Sequence, residues 1–70
     1  MKRKYNPIIV SANLKLLRQL SGKTQSQIAE ETGIALSSIK QYESGKRIPD
    51  VYNLNKLCDL FNVTSKRILE

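Results

Sequence analysis

The sequence predicts an all-α domain of five short helices, and three observations lead there. Apolar residues recur at three- and four-residue spacing along most of the chain, the repeat that gives a helix one buried stripe. No segment alternates apolar and polar residues with period two, as a half-buried strand would. Each apolar stripe is also bracketed by residues that start and stop helices.

The first helix starts at Asn6-Pro7, with Asn as cap and Pro in the first helical position, or as late as Ser11. Val10, Leu14 and Leu17 form its stripe, Leu20 extends it, and Ser21-Gly22 closes it. Thr24 caps the second helix. Its hydroxyl can accept the amide of Gln27, whose side chain can reach back, a reciprocal capping box. Ile28 and Ala29 face inward there, Glu30 and Glu31 face solvent, and Gly33 ends the helix. A third helix carries Ile34, Leu36, Ile39 and Tyr42 as its apolar positions and stops at Gly45. After the loop Lys46-Arg47-Ile48-Pro49, Asp50 caps a fourth helix with the stripe Val51, Leu54, Leu57, Cys58 and Phe61, extended by Leu60. Asn62 ends it, and Thr64 caps a short fifth helix with Ile68 and Leu69.

Seventy residues make one domain with a modest core, near the lower size limit for independent folding. The division expected is a flexible basic arm over residues 1–5 and a folded domain over 6–70. Cys58 is the only cysteine, so no intrachain disulfide can help; it reads as a small core residue, with redox sensing the lesser alternative. The chain has no histidine, which removes the commonest general base and metal ligand. With no paired carboxylates in a plausible pocket either, neither an enzyme nor a metal or cofactor site is expected. No apolar run approaches the ~20 residues of a membrane span, and Ile8–Val10 is too short for a secretory signal, so a soluble cytoplasmic protein is expected. Twelve Lys/Arg against six Asp/Glu give +6 at pH 7, which favours a polyanionic partner. Half of that excess sits at Lys2, Arg3 and Lys4 and is equally explained by a solvated tail.

The informative stretch is TQSQIAEETGIALSSIKQYESGK, residues 24–46. Two short helices crossing steeply need a small residue where their backbones approach, and Ala29 supplies it. The turn four residues later needs a left-handed backbone, which Gly33 adopts freely. Ile28, Ile34, Ile39 and Tyr42 supply the apolar anchors. With Thr-Gln opening the second helix, Tyr-Glu-Ser-Gly-Lys closing the third and an apolar helix after the proline, residues 9–69 resemble the phage repressor and Cro proteins, the XRE family. Lys23 departs from the family's usual apolar residue, which is expected to loosen packing at the start of the second helix.

The resemblance implies a five-helix phage-repressor-like DNA-binding domain, with a helix-turn-helix formed by helices two and three and the third helix in the major groove. The base-contacting positions carried over are Ala35, Leu36, Ser37, Lys40 and Gln41. Gln41 suits adenine N6 and N7, Lys40 guanine O6 or N7 or a phosphate, Ser37 several bases or a phosphate, and Ala35 and Leu36 thymine methyl groups. Leu36 is alternatively a core residue against helix two or four. Thr24, Gln25, Lys46, Arg47 and Tyr52 are the implied backbone contacts. Thr24 serves equally as a cap alone, and Lys46-Arg47 equally as a solvated turn. Arg18 and Glu43 match a family ion pair joining helix one to helix three. Lys2, Arg3, Lys4 and Tyr5 form either an arm around the duplex or a solvated tail.

One recognition helix reads about four base pairs, too few against on the order of a million competing sites, so a homodimer is expected, formed in solution or only on DNA. Phe61, Asn62, Val63, Ile68 and Leu69 either form its interface or complete the core. The expected partner is a double-stranded DNA operator and the expected role a transcriptional regulator, a repressor. The alternatives are an antitoxin or restriction-controller protein on the same module, and a protein–protein adaptor that has kept the fold.

Overall fold

The computed structural model describes residues 4–70. Five helices follow one another: α1 (Pro7–Ser21), α2 (Gln25–Thr32), α3 (Leu36–Ser44), α4 (Val51–Phe61) and α5 (Ser65–Leu69). No strand is present among the described residues. No helix is long and apolar enough to cross a membrane, again among those residues.

The helix starts follow from local chemistry. Asn6 Oδ1 accepts the Ile8 amide at 2.9 Å, which places the start of α1 at Pro7 and not at Ser11. Gln27 donates its amide to Thr24 Oγ1 at 3.1 Å, and Thr24 donates its own to Gln27 Oε1 at 2.8 Å, so the capping box is complete. Asp50 Oδ1 accepts the Asn53 amide at 2.8 Å. Thr64 occupies the cap position of α5 without a side-chain cap bond. Asn62 closes α4 in the left-handed region at φ 56°, a conformation that asparagine tolerates better than most residues.

The core draws on every helix: Val10, Leu14 and Leu17 from α1, Ile28 from α2, Ile39 and Tyr42 from α3, Leu54 and Leu57 from α4, Ile68 from α5, with Ile34 from the turn. Three of the expected apolar positions stand outside it: Leu20, Val51 and Leu36. Leu20 is 73% exposed, because it lies about 90° round the helix from the stripe of Val10, Leu14 and Leu17; Val51, the first residue of α4, is 74% exposed. Ile68 is fully buried, and Phe61, Val63 and Leu69 pack partly buried on the core. These residues thus complete the fold of the single chain, and Asn62 serves as the stop of α4. Cys58 is half-buried against the core. Burial, and then the charge of Asp59, push its thiol pKa up, away from the low-pKa environment of reactive thiols.

Polar contacts between distant segments fix the helices against each other. Asn13 Nδ2 of α1 donates to the Ile68 carbonyl of α5 at 2.9 Å. Asn53 Nδ2 of α4 donates to the Tyr42 hydroxyl oxygen at 2.9 Å, which satisfies the polar end of a buried ring. Tyr5, the last residue of the arm expected over residues 1–5, is half-buried and packs on the core. Its ring has more to gain from apolar burial than from solvent. Lys2 and Arg3 of the expected arm lie outside the described residues.

Candidate nucleic-acid interface

The site begins at the turn between α2 and α3. Gly33 ends α2 at φ 76°, in the left-handed region, and its amide donates to the Ala29 carbonyl at 2.9 Å. Thr32, which sequence reasoning missed, locks this turn. Its hydroxyl donates to the Ile28 carbonyl at 2.7 Å and accepts the Ile34 amide at 3.2 Å. One side chain therefore ties the last turn of α2 to the linker that launches α3. A threonine two residues before an isoleucine is too common a pattern to have signalled it.

Helical spacing then divides the surface of α3. Ile39, Tyr42 and Glu43 are buried. On the opposite side, Ser37, Lys40, Gln41 and Ser44 fall at i, i+3, i+4 and i+7 and form one row. Ser37, Lys40 and Ser44 are exposed, and Gln41 is half-buried. Ser44 was not foreseen, although its spacing from Ser37 and Lys40 could have found it; its hydroxyl donates to the Gln41 carbonyl at 3.1 Å. Ala35, at the cap position of α3, is exposed. Leu36 is half-buried but belongs neither to the core cluster nor to the partly buried apolar residues packed on it, among the described residues. It adjoins the exposed row.

Behind the row lies a polar joint of three helices. Glu43 is the only buried charged residue among those described. Arg18 Nε of α1 donates to its Oε2 at 2.8 Å, and Gln25 Nε2 of α2 donates to its Oε1 at 3.3 Å. Arg18 Nη1 also donates to the Lys23 carbonyl at 3.0 Å. Both carboxylate oxygens are thus used, which makes burial of the charge tolerable. The expected Arg18–Glu43 pair is present. Gln25, read from sequence as a backbone contact, has its side-chain amide turned to Glu43 in this structure. Thr24 is exposed, with its hydroxyl oxygen engaged as the cap. Lys23 meets Glu31 Oε2 at 2.9 Å, so the departure from an apolar residue is compensated by an exposed ion pair, and Glu31 is not simply solvated.

After α3 the chain turns back on itself. The amides of Lys46 and Arg47 donate to the Gln41 carbonyl at 3.0 and 3.3 Å. Ile48 packs on the core and Pro49 is buried, so the loop is anchored while Lys46 and Arg47 stay exposed. Arg47 Nη1 donates to Gln41 Oε1 at 3.0 Å, and its guanidinium lies 5.7 Å from the centre of the Tyr42 ring. Tyr52 is 70% exposed on the first turn of α4, with the Lys56 ammonium 4.2 Å from its ring centre. The structure therefore brings Ser37, Lys40, Gln41 and Arg47 into one exposed constellation on and just after α3. Thr24 and Gln25 lie at the start of α2, linked to it through Glu43.

The sequence matches the helix-turn-helix family over residues 14–68. The chain belongs to the helix-turn-helix family. The match covers the whole helix-turn-helix unit, α2 and α3, together with most of α1, all of α4 and most of α5. Among curated helix-turn-helix relatives, the cryptic phage CTXphi transcriptional repressor RstR of Vibrio cholerae is 45% identical over 47 residues, 67% of this chain and 42% of that protein. The HTH-type transcriptional regulator ImmR of Bacillus subtilis is 39% identical over 56 residues, 80% of this chain and 44% of that protein. The chain thus spans less than half the length of both relatives. Two solved structures share the fold. The restriction-modification controller protein C.AhdI from Aeromonas hydrophila superposes with a TM-score of 0.82 at 22% identity, over 89% of this chain and 94% of that one. The SOS-response transcriptional repressor LexA from Eubacterium rectale superposes with a TM-score of 0.88 at 28% identity, over 100% of this chain and 74% of that one.

Proposed function

We propose that this helix-turn-helix chain is a sequence-specific double-stranded DNA-binding transcriptional regulator, a repressor, that reads the major groove with α3 and acts in the cytoplasm. The observation that carries the reading is the exposed row Ser37, Lys40, Gln41 and Ser44, set opposite the buried Ile39 and Tyr42 on one helix. Ser37, Lys40 and Gln41 can donate hydrogen bonds outward, Ser44 offers its hydroxyl oxygen, and no acidic side chain interrupts them. The one carboxylate on α3, Glu43, is buried and paired. An α-helix fits the major groove, where base edges present distinct donor and acceptor patterns. Ala35 and Leu36 add apolar contact to thymine methyl groups, Thr24, Gln25, Lys46 and Tyr52 hold the phosphates, and Arg47, a phosphate contact by the family resemblance, also reaches the groove side through its bond to Gln41. The two curated relatives, named a repressor and a transcriptional regulator, support the same role.

The chain acts as a homodimer on its operator, since one α3 reads too short a sequence to find one site in a genome. Selection from a random duplex pool, followed by gel shift, tests the reading. The expected product is a two-fold-related site with half-sites ~34 Å apart. Recovery of no preferred sequence would overturn it.

A further inference from the structure

We propose that Arg47 sets the base preference of Gln41, turning it from adenine toward guanine. The inference rests on the major-groove reading above. Free of neighbours, a glutamine amide pairs with adenine by accepting from N6 and donating to N7. Here Gln41 Oε1 already accepts from Arg47 Nη1 at 3.0 Å.

The contact is built into the chain. The amide of Arg47 donates to the carbonyl of Gln41 itself, and the Lys46 amide shares that carbonyl. Gly45 makes the reversal possible with φ 81°. The two side chains are thus held close by six residues of ordered backbone, and joining them sacrifices little further freedom. Gln41 is half-buried, which restricts its rotamers, and the guanidinium rests beside the Tyr42 ring, itself fixed by Asn53. Arg47 is therefore attached to α3 by its backbone, its guanidinium hydrogen bond and its ring contact.

The consequence is electrostatic. A permanent positive charge and N–H donors stand beside Gln41 Oε1, where the exocyclic group of a contacted purine would come. Adenine brings the N6 amino group to that place, a donor facing donors. Guanine brings the O6 keto oxygen, which accepts from the guanidinium while N7 accepts from Gln41 Nε2. With one lone pair of Oε1 taken by Arg47, donors outnumber the one acceptor position left on the pair, and guanine is the purine whose major-groove edge offers acceptors only.

Two measurements on the full chain test this. In the free protein, the order parameter of the Gln41 side-chain amide by ¹⁵N relaxation should fall in Arg47→Met while the backbone of α3 stays unchanged; an unchanged side-chain amide overturns the proposal whether or not the protein binds DNA. In duplex selection, Gln41→Ala identifies the base pair that Gln41 reads, as the position whose preference is lost. Wild type should favour guanine over adenine there by about tenfold, and Arg47→Met should reduce that to about twofold or less. Arg47→Lys should keep the overall affinity of wild type and a guanine preference between those of wild type and Arg47→Met, because an ammonium keeps the charge and the donors but lacks the planar fork that reaches Oε1 and O6 together. Adenine at that position in wild type, or a guanine preference that Arg47→Met leaves intact, overturns the proposal. Selection of no sequence by wild type would instead overturn the DNA-binding reading, and the relaxation measurement would still decide whether Arg47 holds Gln41.

Discussion

Glu43 holds α1, α2 and α3 together through one carboxylate. Truncating it leaves Arg18, whose side chain is only 19% exposed, without its anionic partner. Breaking a largely buried pair from one side destabilises by ~3–5 kcal/mol. The remaining bond from Arg18 to the Lys23 carbonyl places the expected loss for Glu43→Ala near the low end, about 3 kcal/mol in urea unfolding. DNA affinity should fall with it, since the same carboxylate fixes the angle of α3 and the position of Gln25. An unchanged unfolding midpoint would mean that the pair contributes nothing. Thr32 offers a second test. Thr32→Val keeps the shape but removes both bonds of the hydroxyl, leaving the part-buried Ile34 amide without that acceptor. The expected loss is about 1–2 kcal/mol by thermal or urea unfolding, with far-UV circular dichroism preserved. A loss below a few tenths of a kcal/mol would show that solvent replaces the hydroxyl.

Between elements, the deciding feature is how each helix stops. Gly33 ends α2 in the left-handed region, and a Cβ built there meets nothing within 4 Å. Substitution at this position therefore carries a conformational cost without a packing cost. Gly33→Ala should destabilise by about 1–2 kcal/mol, and Gly33→Asn by clearly less, because asparagine visits this conformation more readily. The chain itself shows the precedent at Asn62, φ 56°. Equal losses for the two variants in urea unfolding would contradict this account. The same locality explains what could be read from sequence. Asn6, Thr24, Asp50, Gly33 and Asn62 act on backbone groups within a few residues, so their roles and the helix limits were visible without the fold. Arg18–Glu43 was reached only through a family resemblance, since nothing local links positions so far apart. Asn13 to Ile68, Tyr42 to Asn53, and Tyr5 on the core were not legible. Each depends on where whole helices come to rest, and each is made by a residue type that is equally at home in solvent. Gln41 with Arg47 was missed for a different reason. Both had been assigned outward roles, and the left-handed turn at Gly45 brings them together.

At the scale of the molecule, the proposed function raises the question of how a body of 35 × 22 × 20 Å, with one exposed row offered as its recognition surface, can discriminate among genomic sites. One row reaches about four base pairs, a sequence that recurs throughout any genome, so affinity for a lone half-site should be close to non-specific binding. Much of that affinity comes from phosphates and should fall with salt. Each contact removed, as in Lys46→Ala, should flatten the slope of log K against log[salt] by ~0.9 for each half-site bound. Specific binding needs two rows in fixed relation, and the helical repeat of DNA makes that relation testable. Inserting about five base pairs between the half-sites turns one of them to the far side of the duplex. A two-fold dimer can then engage only one half at a time, and its gel-shift affinity should drop to that of an isolated half-site. The argument requires only that the two α3 helices be held at a set distance, whether the subunits meet before or upon binding. An isolated half-site bound as tightly as the full operator, or a spacer insertion without effect, would mean that a single chain supplies all of the specificity.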